Sequence, residues 1–528
     1  VFRSALLASA ALAPLAAYAA PGAYPTPTFN DVITPADPRY YGAKCDGAAH
    51  VEDDAAWAAL AAAATAGSSV FVPGQCVFTV PIVFPVASQM TFYAEGFGGA
   101  MIYSGAAANA DLITFGSSTG LDAQHCSARG LKIKNVRFRS TTVMTGGDAV
   151  RIKYACDSDL QFNNFGDEVT GGNHFWNALH LDSGNSVRVV GGDINGKNVG
   201  VVLNGDATFQ LTDPYFFHVK IAYANVGMNV AGGVGGLQLT ESALIGNGTH
   251  VRISQDQVAK PNLQLMIGAT LDITNGGAGV GVDLADPGTT NSLLMIKDAW
   301  LATAVNQCLL IEPGALNWQV TMQGGYVLNC NNTATKPAMV ENQSTSAAVN
   351  LQFIGTQFSQ CCNGGTYAIK NAVGANPVRL TDVTFLTTTL NRVSGPFQGT
   401  WNDGGTQIVN AKTAFLAGLG STAADCGVGV TATLVQPYKM DGSSPGCPMN
   451  LGSGAAQWAD IEAIAANFGS YVRVGITTVA ALPACTASTR GMIVPVGDAT
   501  APTYRGALTG GGAVGTLAYC DNGVWTAH

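Results

Sequence analysis

Nine times between Ala149 and Lys370 the chain repeats a five-residue phrase with apolar residues at its second and fourth positions. The copies are AVRIK from Ala149, ALHLD from Ala178, GVVLN from Gly200, GMNVA from Gly227, HVRIS from His250, GVDLA from Gly281, CLLIE from Cys308, PAMVE from Pro337 and TYAIK from Thr366. Successive phrases start 29, 22, 27, 23, 31, 27, 29 and 29 residues apart. A short strand recurring at that interval marks a solenoid, in which each coil buries its apolar face only against its neighbours. Alternation sends the second and fourth side chains inward and the third and fifth outward.

A second phrase, apolar-x-apolar-x-bend-x-x-apolar, follows most of the first ones. It occurs at Val187/Val189/Gly191/Ile194, Val219/Ile221/Tyr223/Val226, Leu237/Leu239/Glu241/Leu244, Leu294/Ile296/Asp298/Leu301, Val320/Met322/Gly324/Val327, Leu351/Phe353/Gly355/Phe358 and Val378/Leu380/Asp382/Phe385. Two strands joined by a bend in every coil predict an all-β parallel β-helix. A leucine-rich repeat would need a fixed Asn and a helical return that are missing, and a sandwich would not hold one register over nine copies. Glu241, Asp298 and Asp382 share the bend position, where the expected role is to satisfy buried amides.

Composition agrees. Charged residues are only 11% and Gly reaches 65 residues, as suits a solenoid whose turns need left-handed conformations. The net charge of −9 leaves no basic stripe for nucleic acid. It gives no long-range pull on an anionic polysaccharide either, so such binding would need local cations. Arg3, the apolar run Ala5 to Ala17 and the small-x-small site Ala17-Tyr18-Ala19 read as an export signal over residues 1–19. That run is too short to span a bilayer, and no later segment predicts membrane insertion. Twelve cysteines in an exported chain predict disulfides and a secreted or periplasmic location. Neighbouring positions suggest Cys45–Cys76, Cys126–Cys156, Cys308–Cys330, Cys426–Cys447 and Cys485–Cys520, with adjacent Cys361 and Cys362 paired together or free.

The segment YGAKCDGAAHVEDDAAWAALAAAATAGSSVFVPGQCVFTV resembles the opening of the pectate-lyase-like superfamily of right-handed parallel β-helix proteins. The resemblance rests on Gly42, Ala43, Asp46, Gly47, Asp53, Asp54, Pro73 and Gly74: a Gly-rich loop, an Asp-Asp capped helix, a strand and a Pro-Gly turn. Cys45 and Cys76 depart from the family pattern at facing positions, which favours their pairing. The resemblance implies a β-helix over 29–395 with its N-terminal cap at 29–81. The helix would plug the open end of the stack, with Asp53 or Asp54 as its cap. For function it implies lyases, glycoside hydrolases, tail-spike depolymerases or members without catalysis. Residues 396–471 read as an irregular connection. Residues 472–528 read as a small β module similar to C-terminal modules of phage-derived proteins.

Outward residues in equal positions of successive coils stack about 4.8 Å apart. The third position runs Arg151, His180, Val202, Asn229, Arg252, Asp283, Leu310, and the fifth runs Lys153, Asp182, Asn204, Ala231, Ser254, Ala285, Glu312. Polarity gathers in the first coils. With Asp157, Asp159 and Arg188 across the bend, Arg151, Lys153, His180 and Asp182 make a mixed-charge patch. Elimination on a uronate needs a cation or calcium plus a base, so Arg151, Lys153 and His180 fit those roles, with Asp157 and Asp182 as calcium ligands. Hydrolysis needs two carboxylates about 5–9.5 Å apart, for which Asp182 with Asp157 or Asp159 is the candidate. The plain alternative is a solvated Lys153–Asp182 cross-strand ion pair. The galacturonase signature is missing, and Arg151-Ile152-Lys153 matches its RIK element in letters only.

A second outward row reads Asp193, Asn225, Ala243, Ala269, Trp300, Tyr326, Gln357. Trp300 and Tyr326 in adjacent coils would form a platform for sugar rings, with Asp193 on the same row. The excursion from Gly166 to Asn177 carries His174 and Trp176, and loops on rigid scaffolds often hold function. The sequence therefore predicts an exported, polysaccharide-binding and -cleaving β-helix, monomeric or homotrimeric. The competing reading is a non-catalytic adhesin or spike.

Overall fold

A computed structural model describes residues 34–410 apart from 96–98, 166–174, 207, 255–263, 273–278, 289–291, 332–335, 360–366, 387–390 and 404–405, then 426–430, 435–439 and 475–528. The segment read as an export signal lies outside the described residues.

The body of the chain is a parallel β-solenoid of about 11 turns, as the repeating phrases predict. Each coil carries three strands, and the second phrase spans the last two. On the first face Val150, Leu179, Val201, Met228, Val251, Val282 and Leu309 stack in strict register. Their side chains are at most 1% exposed. Ile82 and Ile113 continue this column toward the N-terminus, adding coils whose short IVF and ITF strands escape the five-residue pattern.

Three registers differ from the sequence pattern. Val340 pairs with Leu309 and Ile369, so the eighth and ninth phrases start at Met339 and Ala368, two residues later than expected. Their inward fourth positions are then Asn342 and Asn371, buried and joined by a 2.7 Å side-chain hydrogen bond. An apolar search cannot see an inward Asn ladder, yet these amides are tolerated inside because the backbone satisfies the rest of each: Asn342 Oδ1 accepts from the Ser344 amide and Asn371 Nδ2 donates to the Pro396 carbonyl. In the second phrase Phe216, not Ile221, lies under Leu239, while Ile221 lies under Leu244. His218 therefore occupies the bend, not Tyr223.

Glu241, Asp298 and Asp382 do share a bend, with φ of 46°, 51° and 51°. They are exposed, and Glu241 lies 2.8 Å from His218 of the preceding coil. In two coils the residue after the bend position, Ser242 or Thr356, bonds the backbone. Ser242 Oγ accepts from Val219 N–H at 3.2 Å and donates to the Thr240 carbonyl at 2.8 Å, and Thr356 Oγ1 donates to the Gly324 carbonyl at 3.2 Å.

Helix Val51–Ala63 plugs the N-terminal end. Its Trp57 is fully buried, with ring centroids 5.6 Å from Phe78 and 6.0 Å from Phe92. The aspartates do not cap it as expected. His50 holds the N-cap position, while buried Asp53 accepts from the Lys44 amide at 2.6 Å and Asp54 from the Thr79 amide at 2.8 Å. Both remain in the first turn, where negative charge complements the helix dipole. Their hydrogen bonds tie the helix to the preceding loop and the following strand.

Parallel pairing continues to Phe397–Asp403, beyond the expected end near 395. Within the stretch expected to be irregular, Thr406–Asn410, Cys426–Val430 and Val435–Lys439 form an antiparallel extension. The second unit, Leu451–His528, holds an antiparallel sheet of Ile493–Ala499, Val514–Asp521 and Val524–Ala527 around buried Val496, Ala499 and Ala518. Disulfides join Cys45–Cys76, Cys126–Cys156, Cys308–Cys330 and Cys485–Cys520. Four such bonds fit a chain that folds in an oxidising compartment. Cys447, Cys361 and Cys362 lie outside the described residues. Among the described residues no helix is long and apolar enough to cross a membrane.

The inward and outward assignment is open to a paired substitution. Leu239 is fully buried, so Leu239→Asp places a charge inside the stack at a cost of several kcal/mol. Soluble expression is expected to fail for Leu239→Asp and to persist for outward Gln238→Asp.

Candidate functional site

The first face brings Arg151, His180 and Asp182 together as the third- and fifth-position rows predict. It adds two carboxylates from outside those rows, Asp111 and Asp148. His180 Nδ1 lies 2.7 Å from Asp148 Oδ2, and Nε2 lies 2.9 Å from Asp182 Oδ1 in ion-pair rather than in-line hydrogen-bond geometry. Arg151 Nε donates to Asp182 Oδ2 at 2.6 Å, and its Nη1 lies 3.8 Å from Asp111 and 3.9 Å from Asp148. Asn177 Nδ2 donates to Asp148 Oδ1 at 2.9 Å, and the Asp148 amide donates to Asp111 Oδ1 at 3.0 Å. Three carboxylates thus surround one guanidinium and one imidazole.

Asp148 is the buried anchor, its side chain 3% exposed, whereas Asp111 keeps 28% and faces outward. Burial raises the carboxyl of Asp111, and the neighbouring charge of Asp148 raises it further. Asp182 moves the opposite way. Burial opposes its charge, but His180 and Arg151 outweigh that and bring its pKa to about 2. For His180 burial alone would favour the neutral ring, yet its bonds to Asp148 and Asp182 lift it to about 9. At neutral pH the cluster therefore holds an imidazolium, an ionised Asp182 and an Asp111 that retains its proton more readily than an ordinary aspartate.

The other expected site residues fall elsewhere. Lys153 sits beside Asp182 in register, but Asp182 takes Arg151 instead, and among the described residues no carboxylate pairs with Lys153. Asp157 lies past the bend, with φ of 50°, and accepts from Arg129 at 2.9 Å. Asp159 and Arg188 are register neighbours on the second face. Asp157 and Asp182 thus answer to different cations on different faces and do not form the expected calcium pair. Among the described residues no three His, Cys, Asp or Glu side chains are grouped to hold a metal ion. His174 lies outside the described residues. Trp176 is partly buried against the core with Lys197 Nζ 5.7 Å from its ring, away from the Arg151–His180–Asp182 contacts.

The aromatic row is on the third face, away from the cluster. Its register is Asp193, Lys220, Ala243, Thr270, Trp300, Tyr326, Gln357, so Lys220 and Thr270 replace Asn225 and Ala269. The slip at Lys220 follows from the displaced second phrase at Phe216. Trp300 and Tyr326 are neighbours as expected, ring centroids 5.3 Å apart and tilted by 48°.

Sequence reading misses Asp111 and Asp148 for separate reasons. Asp111 precedes a three-residue strand too short to score as a phrase. Asp148 stands one residue before the Ala149 phrase, outside its window. A signal was present in the alignment of Asp148 with Asn177, both immediately before an apolar phrase.

No protein-family model matches the chain, and no curated protein matches it in sequence. Among solved structures, tailspike protein 3 of bacteriophage CBA120 aligns with a TM-score of 0.48 and 13% identity, over 76% of this chain and 68% of that one. DFA-IIIase from Arthrobacter chlorophenolicus A6 in complex with DFA-III aligns with a TM-score of 0.46 and 10% identity, over 66% of this chain and 93% of that one. At this similarity neither structure informs the site. The chemistry must come from this chain's own side chains.

The pKa of His180 gives a signed expectation. Because the folded value of about 9 lies above the ordinary 6.5, its stabilisation is complete below about pH 6.5 and lost as pH climbs through 9. Asp182 contributes above its ordinary range and is lost as pH falls through about 2. Thermal melts should therefore decline from pH 6.5 to 9.5, by on the order of 3 kcal/mol. His180→Gln is expected to melt lower at pH 6.5 and to lose that slope.

Proposed function

We propose that this protein is an extracellular glycan-active β-helix protein that hydrolyses glycosidic bonds on its first face. The observation that carries this reading is a single guanidinium, Arg151, lying between two carboxyl groups whose surroundings push their protonation in opposite directions. Such divergence separates acid from ionised partner in glycoside hydrolysis. Asp111 gives its proton to the departing glycosidic oxygen. Asp182, kept ionised, faces the positive charge that develops at the anomeric carbon, and the Asp111 carboxylate then takes a proton from the water that adds there, which restores the acid. Arg151 and His180 hold Asp182 in place and act as positioning residues.

Elimination is the weaker chemistry here. It needs an unprotonated base at the C5 proton, and His180 is held as imidazolium by Asp148 and Asp182. Arg151 is likewise engaged by carboxylates; Lys153 and Arg188 are the expected cations of this patch without such a partner among the described residues.

One observation favours a second reading, a non-catalytic glycan-binding spike or adhesin. Most charges of the cluster are already paired, and a groove of about 970 Å³ on the coils lies on other faces. The two readings differ in a simple assay. With a polysaccharide panel, hydrolysis produces new reducing ends without ultraviolet-absorbing unsaturated products. Asp111→Asn and Asp182→Asn should each lower that rate about a hundredfold or more. Unsaturated products would establish elimination instead. Unchanged rates in both variants, or no cleavage of any glycan, would remove the cluster from catalysis.

A further inference from the structure

The coil containing Gln264–Asp272 is shorter at its second bend than the coils beside it. Thr240 pairs with Gly268 and Ala243 with Thr270, so Glu241 and Ser242 stand against the single residue Ala269. On the other side Ile267 pairs with Ile296 and Thr270 with Trp300, so three residues, Lys297 to Ala299, stand against Gly268 and Ala269. The flanking bends carry large polar side chains, while the short coil offers only Gly, Ala and Thr. A one-residue deletion thus leaves a notch in the surface, and a groove of about 970 Å³ lies over it.

The walls are distinct in character. On the N-terminal side His218 Nε2 lies 2.8 Å from Glu241 and Lys220 lies 3.5 Å from Asp193, so these polar groups are fixed in pairs. On the C-terminal side stands Trp300, 38% exposed and buttressed by Tyr326 from the following coil. Trp300 and its register neighbour Thr270 both line the groove. A flat aromatic wall facing paired donors and acceptors suits a ring that has apolar C–H faces and a hydroxyl rim, which is the chemistry of a sugar. Carboxylates at Asp193, Glu241 and Asp298 outnumber the lysines at 220 and 297, so the groove does not favour an acidic polymer.

We propose that this notch is a binding site for a neutral polysaccharide, with a sugar ring seated on Trp300, separate from the first-face cluster. It shares with the hydrolytic reading only the class of ligand and does not depend on cleavage. A site of this kind would hold the polymer on the protein while another segment is processed.

The test is calorimetric titration of the full chain carrying Asp182→Asn with hexasaccharides of glucose, mannose and fructose, alongside an oligogalacturonate. At least one neutral hexasaccharide is expected to bind. Trp300→Ala and Thr270→Arg, the latter filling the notch from an outward position, should each weaken binding tenfold or more with unchanged thermal melts. Gln352→Ala, outside the groove, should bind as the parent does. Binding of no neutral probe would overturn the proposal. So would undiminished binding in both notch variants, loss only on adding Asp111→Asn, or preference for the oligogalacturonate. The hydrolytic reading stands or falls separately, on turnover by the chain with Asp182 intact.

Discussion

Parallel hydrogen bonding between successive coils, about 4.8 Å apart, is the constraint on which the rest of the molecule depends. It converts positions 18 to 41 residues apart in the chain into vertical neighbours with fixed inward and outward faces. The apolar column from Ile82 to Leu309 and the charged column from Arg151 onward are two sides of the same strands. Neither exists without the register. A slip by one residue would exchange them, burying Arg151 and His180 and exposing the core.

What this register does to charge is clearest in two histidines of the first face. His250 is fully buried, and desolvation alone lowers it to about 3. His180 is nearly as enclosed, yet it rises to about 9. The difference is the company each keeps. His250 meets the Asn247 amide at 3.2 Å, a neutral partner. His180 is held between two carboxylates delivered by its own and the preceding coil. Pairing therefore defeats burial in one place and is missing in the other. The same balance divides Asp182 from Asp111: one has two cations at close range, the other an aspartate neighbour and a distant guanidinium. A scaffold that stacks columns can tune such groups independently, because each coil supplies one side chain per row. The recessed coil at Gly268 uses the same logic in reverse, since removing one bend residue opens a space that its neighbours then wall.

The solenoid was legible because its signal is redundant. Apolar pairs such as Val201/Leu203 and Met228/Val230 repeat a pattern that any one copy states weakly. The register failed where inward residues are polar, as at Asn342 and Asn371, which bond to one another and to the backbone and so break the apolar alternation. It failed again at Phe216, where two overlapping apolar sets, Phe216/Ile221 and Val219/Ile221, satisfy the same template. For the site, Arg151, His180 and Asp182 were readable because they stand on strict rows. Asp111 was not, since its strand is short, and neither was Asp148, since it lies outside the repeat. Asp157 and Arg188 illustrate the opposite error: proximity in sequence across a bend places them on another face. The notch at Gly268 is a deletion, which a search for repeated letters passes over.

The central claim is that coil stacking holds His180 as an imidazolium between Asp148 and Asp182. The most direct measurement is a carbon-13 or nitrogen-15 NMR titration of the histidine side chains, with His180 assigned by substitution. The account predicts a midpoint near 9 that drops toward the ordinary imidazole range in Asp148→Asn. A midpoint near 6.5 in the unaltered protein would contradict it, and with it the site built around that ring.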